Sequence, residues 1–200
     1  IWKNYNVIKQ NILLKRFIVK ITKKSIVLVG MPGSGKSSLG KVIAKKLNRN
    51  YYDLDKEIEK DLNLSINLVF KSLGEKFFRE KEYETLKKII PNTDTLISSG
   101  GGTFCHAKCF DLIKTFGLSV WVDTNIDVIF KRLNGKKNRP LLKGLKDKSL
   151  NEKLIEMYYE RSKYYINADL RLKVSDTSLS DSISKIIDKF KKVNQGLEFE

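Results

Sequence analysis

Gly30-Met31-Pro32-Gly33-Ser34-Gly35-Lys36-Ser37 follows directly on the apolar run Ser25-Ile26-Val27-Leu28-Val29. The octapeptide has the spacing G-x-x-x-x-G-K-S, which is that of a phosphate cradle. Its glycines let the backbone turn tightly enough for several N–H groups to converge on phosphate oxygens. The helix that starts there aims the positive end of its dipole at the same anion. Lys36 reaches the β- and γ-phosphates of a nucleotide, and the Ser37 hydroxyl is placed to ligate Mg²⁺. Gly33, Ser34, Gly35 and Ser38 complete the nucleotide-binding set. A chance match in a chain of this length arises about once in a hundred sequences. The strand pattern before the loop and the helical pattern after it make chance rarer still.

Outward from this loop, strand and helix patterns alternate. A helix is predicted from about Ser37 to Leu47, then a short strand over Tyr51 to Asp53. Ile66, Val69, Phe70 and Leu73 stand at i, i+3, i+4 and i+7, a helical stripe ended by Gly74. A further helix is expected from about Lys76 to Ile89. Strands follow at Thr95 to Ser98, ahead of Gly100-Gly101-Gly102, and at Leu118 to Val122 and Leu170 to Val174. Ile183, Ile186, Ile187 and Phe190 mark a closing helix. Strands alternating with helices predict an α/β fold, a three-layer α/β/α arrangement around a central five-stranded parallel sheet. Residues 133–149 interrupt the rhythm with polar, basic, Gly-punctuated sequence, as a lid does.

The 200 residues, 41% hydrophobic and 31% charged, suit one compact domain with a full core and exclude a disordered chain. No apolar run reaches the roughly 18–20 residues of a membrane span. The net charge of +16 fits either a nucleic-acid surface or a lysine-rich protein with an anionic substrate. The lysines are scattered through every segment, which favours a solvated surface, so no nucleic acid is expected as a partner. Only seven of the 39 basic residues are Arg. Since a guanidinium holds a planar carboxylate or phosphate with paired bonds and an ammonium does not, each Arg is a candidate anion ligand.

Residues 1–24 form a basic N-terminal extension with six Lys, one Arg and no acidic residue. An amphipathic segment, a targeting remnant and a linker are its alternative readings. Cys105 and Cys109, with His106 between them, have the look of a metal cluster. A structural zinc site wants four ligands, however, so this group reads as structural. Two thiols without a disulfide framework fit a reducing cytoplasm.

Asp53-Leu54-Asp55 falls at the end of the second strand, where a parallel sheet lines its ligand crevice. The two carboxylates suit a magnesium shell and a substrate hydroxyl; alternatively Asp55 caps the next helix. Leu118-Ser119-Val120-Trp121-Val122-Asp123 looks like a strand ending in a magnesium-binding Asp, but Asp123 is assigned to helix capping.

Taken in order, these landmarks resemble the shikimate kinase family. They are the phosphate loop, Asp53-Leu54-Asp55, Ser65-Ile66, Phe70, Gly74-Glu75, Phe78-Arg79, Glu82, the triple glycine, Arg132, Arg139-Pro140-Leu141-Leu142, and Arg161 with Tyr165. The resemblance covers about residues 25 to 175. It implies a P-loop, nucleoside-monophosphate-kinase-like domain over 25–195, with ATP and Mg²⁺. The activity it implies is phosphorylation of shikimate to shikimate 3-phosphate, in aromatic amino-acid biosynthesis. It further implies that Asp55 holds and orients substrate hydroxyls and that Asp53 helps fix Mg²⁺ through water. Arg79 and Arg161 would grip the substrate carboxylate, and Gly101 would offer its N–H. Arg139 would meet the transferring phosphoryl group from the lid, Arg132 would lie against the adenine, and Glu82 would orient Arg79. A cytoplasmic monomer is expected.

From the residues alone, Arg79 and Glu82 are i, i+3 neighbours on a helix face. Arg161 continues the stripe Leu154, Met157 and Tyr158, which suits a guanidinium aimed into a cleft or one reaching out to water. Other readings are a different small-metabolite kinase such as a gluconate kinase, a kinase-like binding protein without catalysis, and nucleic-acid binding by the extension. A substrate panel, the intact Lys36, Ser37, Asp55 and Arg139, and deletion of residues 1–24 discriminate among them.

Overall fold

The computed structural model describes residues 25–134, 142, 144–174, 184 and 187. Its five strands are β1 (Ser25–Val29), β2 (Asn50–Asp53), β3 (Thr95–Ser98), β4 (Gly117–Thr124) and β5 (Leu170–Val174). All pair in parallel, in the order β2-β3-β1-β4-β5. The helices are α1 (Lys36–Lys46), α2 (Leu54–Leu62), α3 (Ile66–Ser72), α4 (Gly74–Ile89), α5 (Ala107–Phe116), α6 (Ile126–Leu133) and α7 (Asp147–Tyr165).

The central strand explains the order. Every residue of β1 is buried, because side chains that alternate across the strand meet a core on each face. Val27 and Val29 join Ile97 and Trp121 in one cluster, with Leu54, Phe78, Leu86, Ile113 and Leu154 from the helices. Ile26 and Leu28 join Leu96, Val120 and Leu172 in the other, covered by Leu39, Ile43 and Ala44 of α1. Helix α1 sits tight on the sheet at Gly40, where a Cβ would stand 2.7 Å from both Ser98 Oγ and Tyr51 Cε2.

The predicted strands fall within one or two residues of those observed. Helices α2, α5 and α6 were not anticipated from periodicity. In α2 only Leu54 and Ile58 are buried, and in α6 only Ile129 and Leu133; one apolar pair among charges is too short a stripe to read. Of the expected closing helix, Ser184 and Ile187 are helical and Ile187 packs against the α1-side core. Ile183, Ile186 and Phe190 lie outside the described residues, as do the extension 1–24 and most of 135–143. The described ends of the 133–149 stretch belong to α6 and α7.

The chain runs from β1 out to β2, back to β3, and then across to β4 on the other side of β1. This reversal opens a crevice at the carboxyl ends of the strands, where ligands of open α/β sheets bind. The phosphate loop after β1 and the triple glycine after β3 meet there.

Candidate active site

The phosphate loop is held in shape by its neighbours. Gly35 has φ +97°, which an L side chain adopts at a cost. At Gly30 a Cβ would stand 2.6 Å from the Val122 carbonyl oxygen of β4. The Thr124 hydroxyl donates to the Ser34 carbonyl at 2.9 Å, and the Ser98 hydroxyl to the Lys36 carbonyl at 3.1 Å. Lys36 is buried, its Nζ donating to the carbonyls of Gly30 (2.9 Å) and Met31 (2.8 Å). Arg132, at the end of α6, donates from Nη1 to the Gly33 carbonyl at 3.2 Å. The predicted nucleotide residues Gly33, Ser34, Gly35, Lys36, Ser37, Ser38 and Arg132 are thus gathered around one loop.

Asp53 and Asp55 diverge at the β2–α2 junction. Asp53 Oδ2 accepts from the Ser37 hydroxyl at 2.8 Å and from the Tyr51 hydroxyl at 3.4 Å. Burial raises the Tyr51 phenol above its ordinary value, and the Asp53 charge adds to this. Asp53 occupies the N-cap position of α2, but no side-chain cap bond forms there. Asp55 turns instead into a cleft beside the phosphate loop.

That cleft is lined by Asp55, Arg79, Glu82, Gly100, Gly101, Gly102 and Arg161, with Pro32, Ile66, Phe70, Phe78, Leu142 and Met157 as its apolar wall. The triple glycine is what brings the polar side chains so close. A Cβ at Gly100 would stand 3.0 Å from Asp55 Oδ1, one at Gly101 3.0 Å from Arg161 Nη1, and one at Gly102 2.7 Å from Arg79 Nη2. Arg79 donates from Nη1 to Glu82 Oε2 at 2.8 Å, and from Nη2 to Glu75 Oε1 at 2.9 Å. Burial opposes the Arg79 charge, yet the two carboxylates more than offset it and raise its pKa. Tyr165 is fully buried, and its hydroxyl donates to the Gly101 carbonyl. Burial, first of all, pushes that phenol up; a hydrogen bond with Arg161 acts the other way.

Asp123 is corrected. It caps no helix: the N-cap of α6 is Asn125, whose Oδ1 accepts from the Asp127 N–H at 2.8 Å. Asp123 Oδ2 accepts from Arg171 Nε (3.0 Å) and Nη2 (2.8 Å), and Oδ1 from the Tyr158 hydroxyl at 3.2 Å. The Arg171 guanidinium in turn lies 4.4 Å from the Trp121 ring centroid. Burial pushes the Cys105 thiol up to about 11 and the Cys109 thiol up to about 12, so both are neutral near pH 7. Arg139 lies outside the described residues. Two contributors escaped the sequence reading: Thr103, which donates to Glu82 Oε1 at 2.6 Å, and Glu75 as a second holder of Arg79. Thr103 lies 21 positions from Glu82, and no local spacing signals such a contact.

A parallel sheet of this order, with a phosphate loop after its central strand, defines a P-loop phosphotransferase of the nucleoside-monophosphate-kinase-like fold. The shikimate kinase family model matches residues 32–191, and the chain belongs to that family. It is 34% identical over 169 residues to the shikimate kinase of a Sulfurihydrogenibium species, covering 84% of this chain and 99% of that one. Among solved structures it resembles the shikimate kinase from Acinetobacter baumannii in complex with shikimate. The TM-score is 0.80 at 28% identity, over 86% of this chain and 95% of that one. A gluconokinase from Sinorhizobium meliloti shares the fold, with a TM-score of 0.57 at 14% identity over 88% and 95% of the two chains.

Proposed function

We infer that the protein transfers the γ-phosphoryl group of ATP to shikimate, giving ADP and shikimate 3-phosphate. The observation that carries this reading is a phosphate loop opening beside a small cleft that holds two arginines and a carboxylate around one glycine turn. Shikimate is a ring carboxylate with three hydroxyls. A guanidinium fork suits its carboxylate, and Asp55 suits its hydroxyls. Among the described residues no carboxylate pairs with Arg161, which leaves its charge for an anionic ligand.

In this reading the substrate hydroxyl oxygen attacks the γ-phosphorus while the bond from phosphorus to the β–γ bridging oxygen breaks. Asp55 orients that hydroxyl and accepts its proton. Lys36 turns from the Gly30 and Met31 carbonyls toward the β- and γ-phosphate oxygens. Arg79 and Arg161 grip the carboxylate, and the Gly101 N–H meets the substrate. Arg132 lies against the adenine, and Arg139, assigned by family resemblance alone, meets the moving phosphoryl group. The work of the protein is positioning and charge neutralisation.

The Ser37 hydroxyl and Asp53 carboxylate are hard oxygen donors 2.8 Å apart at the loop. That donor set suits Mg²⁺, which takes few protein ligands and keeps several waters. Mg²⁺ held there supplies further neutralisation of phosphate charge.

We also take the enzyme to act as a cytoplasmic monomer without nucleic acid. Cys109 is buried and Cys105 half-buried, both thiols are neutral, and the lysines are scattered. Among the described residues no helix is long and apolar enough to cross a membrane. The domain is taken as 25–195, with its lid over 133–149. Lys36→Met tests the reading: turnover of shikimate should vanish while calorimetry still detects shikimate binding. Full activity in that variant would refute the assignment.

A further inference from the structure

Glu82 is a carboxylate with no exposure to water. Its Oε2 accepts from Arg79 Nη1 at 2.8 Å, and its Oε1 accepts from the Thr103 hydroxyl at 2.6 Å. Thr103 is itself fully buried, in the 3₁₀ turn that follows the triple glycine. Its hydroxyl also stands 3.0 Å from the Gly100 carbonyl. A hydroxyl has one proton, and the nearer, charged acceptor takes it.

We propose that Thr103 is a positioning residue for the substrate carboxylate, acting through Glu82 on Arg79. The inference rests on the reading that Arg79 grips that carboxylate. A carboxylate bonded at one oxygen can rotate about its last torsion and carry its partner with it. Bonded at both, inside a core where no water replaces a lost bond, Glu82 has one orientation. That orientation fixes the plane of the Arg79 guanidinium. The second holder of Arg79 does this poorly: the Glu75 side chain is 55% exposed, so its bond competes with water. Continuity in the chain strengthens the case. Gly102 makes room for the Arg79 guanidinium, and the next residue orients it.

Thr103→Val keeps the shape and removes the hydroxyl; Thr103→Ser keeps the hydroxyl. With Thr103→Val the KM for shikimate should rise about tenfold, while kcat and the KM for ATP stay within about twofold. Thr103→Ser should match the wild type in all three. Added to Arg79→Lys, Thr103→Val should raise the shikimate KM no further, because residues acting through one another are non-additive. An unchanged shikimate KM in folded Thr103→Val, or an equal rise in both KM values, would overturn the proposal. So would a shikimate KM in Thr103→Ser raised as far as expected for Val, a result that stands even if the Val variant does not fold. A wild type that fails to turn over shikimate would overturn the activity reading itself.

Discussion

Gly102 and Arg79 touch so closely that a Cβ on the glycine would stand 2.7 Å from Nη2 and 2.9 Å from Nη1. Gly102 has φ −101°, a conformation open to any residue. A side chain here would therefore meet the guanidinium and push it aside, with no backbone strain of its own. Gly102→Ala should displace Arg79 and raise the shikimate KM severalfold, with the KM for ATP unchanged. Gly101→Ala differs, because its Cβ would meet both Pro32 Cδ at 2.7 Å and Arg161 Nη1 at 3.0 Å. Since Pro32 belongs to the phosphate loop, that variant should raise both KM values. Steady-state kinetics with each substrate varied in turn checks the pair. Identical profiles would contradict the contact argument.

Arg79 makes bonds to Glu75 and Glu82 and still faces the cleft. An ammonium in its place keeps the charge and loses the planar fork. Arg79→Lys should raise the shikimate KM about tenfold or more with a smaller effect on kcat. An unchanged KM would remove the carboxylate role.

Asp123 sits at the end of β4, where a magnesium-binding Asp is found in other phosphate-loop proteins, but its oxygens serve Arg171 and Tyr158. Asp123→Asn should therefore lower the melting temperature and leave the Mg²⁺ dependence of turnover unchanged. A shifted Mg²⁺ requirement would return Asp123 to the metal site.

Asp169 ties β5 to the neighbouring strand and to α5. It accepts from the Ser119 N–H at 2.8 Å, from the Ser119 hydroxyl and from Lys114. Burial opposes its charge, but the bonds to Lys114 and Ser119 outweigh burial and lower its pKa. A carboxyl with a lowered folded pKa contributes stability that is fully present above its unfolded value of about 3.9. That contribution is lost as pH falls through the lower folded value. The wild type should be more stable than Asp169→Asn at neutral pH, and the gap in urea midpoints should shrink as pH drops below about 4. A gap constant from pH 7 to 3 would contradict the ion pair.

The strands and the phosphate loop were legible because their signals are local. β1 is an unbroken apolar run since both its faces are buried, and the loop is eight consecutive residues. Glu82 was legible as an i+3 neighbour of Arg79. Thr103 was not, since its partner lies on another element, 21 positions away. The role of Asp123 was misjudged for the same reason: its ligands Tyr158 and Arg171 come from α7 and β5, 35 and 48 positions away. Helices α2 and α6 bury only two side chains apiece, and periodicity needs more than one repeat to show.

The most direct test of the whole account is ADP release from Mg·ATP, measured with shikimate, with gluconate and with no acceptor. Rapid release with shikimate, none above background with the other two, and none from Lys36→Met is the expected result. Equal release with gluconate, or none with shikimate from a protein that binds ATP, would contradict the assignment of the arginine-lined cleft to shikimate.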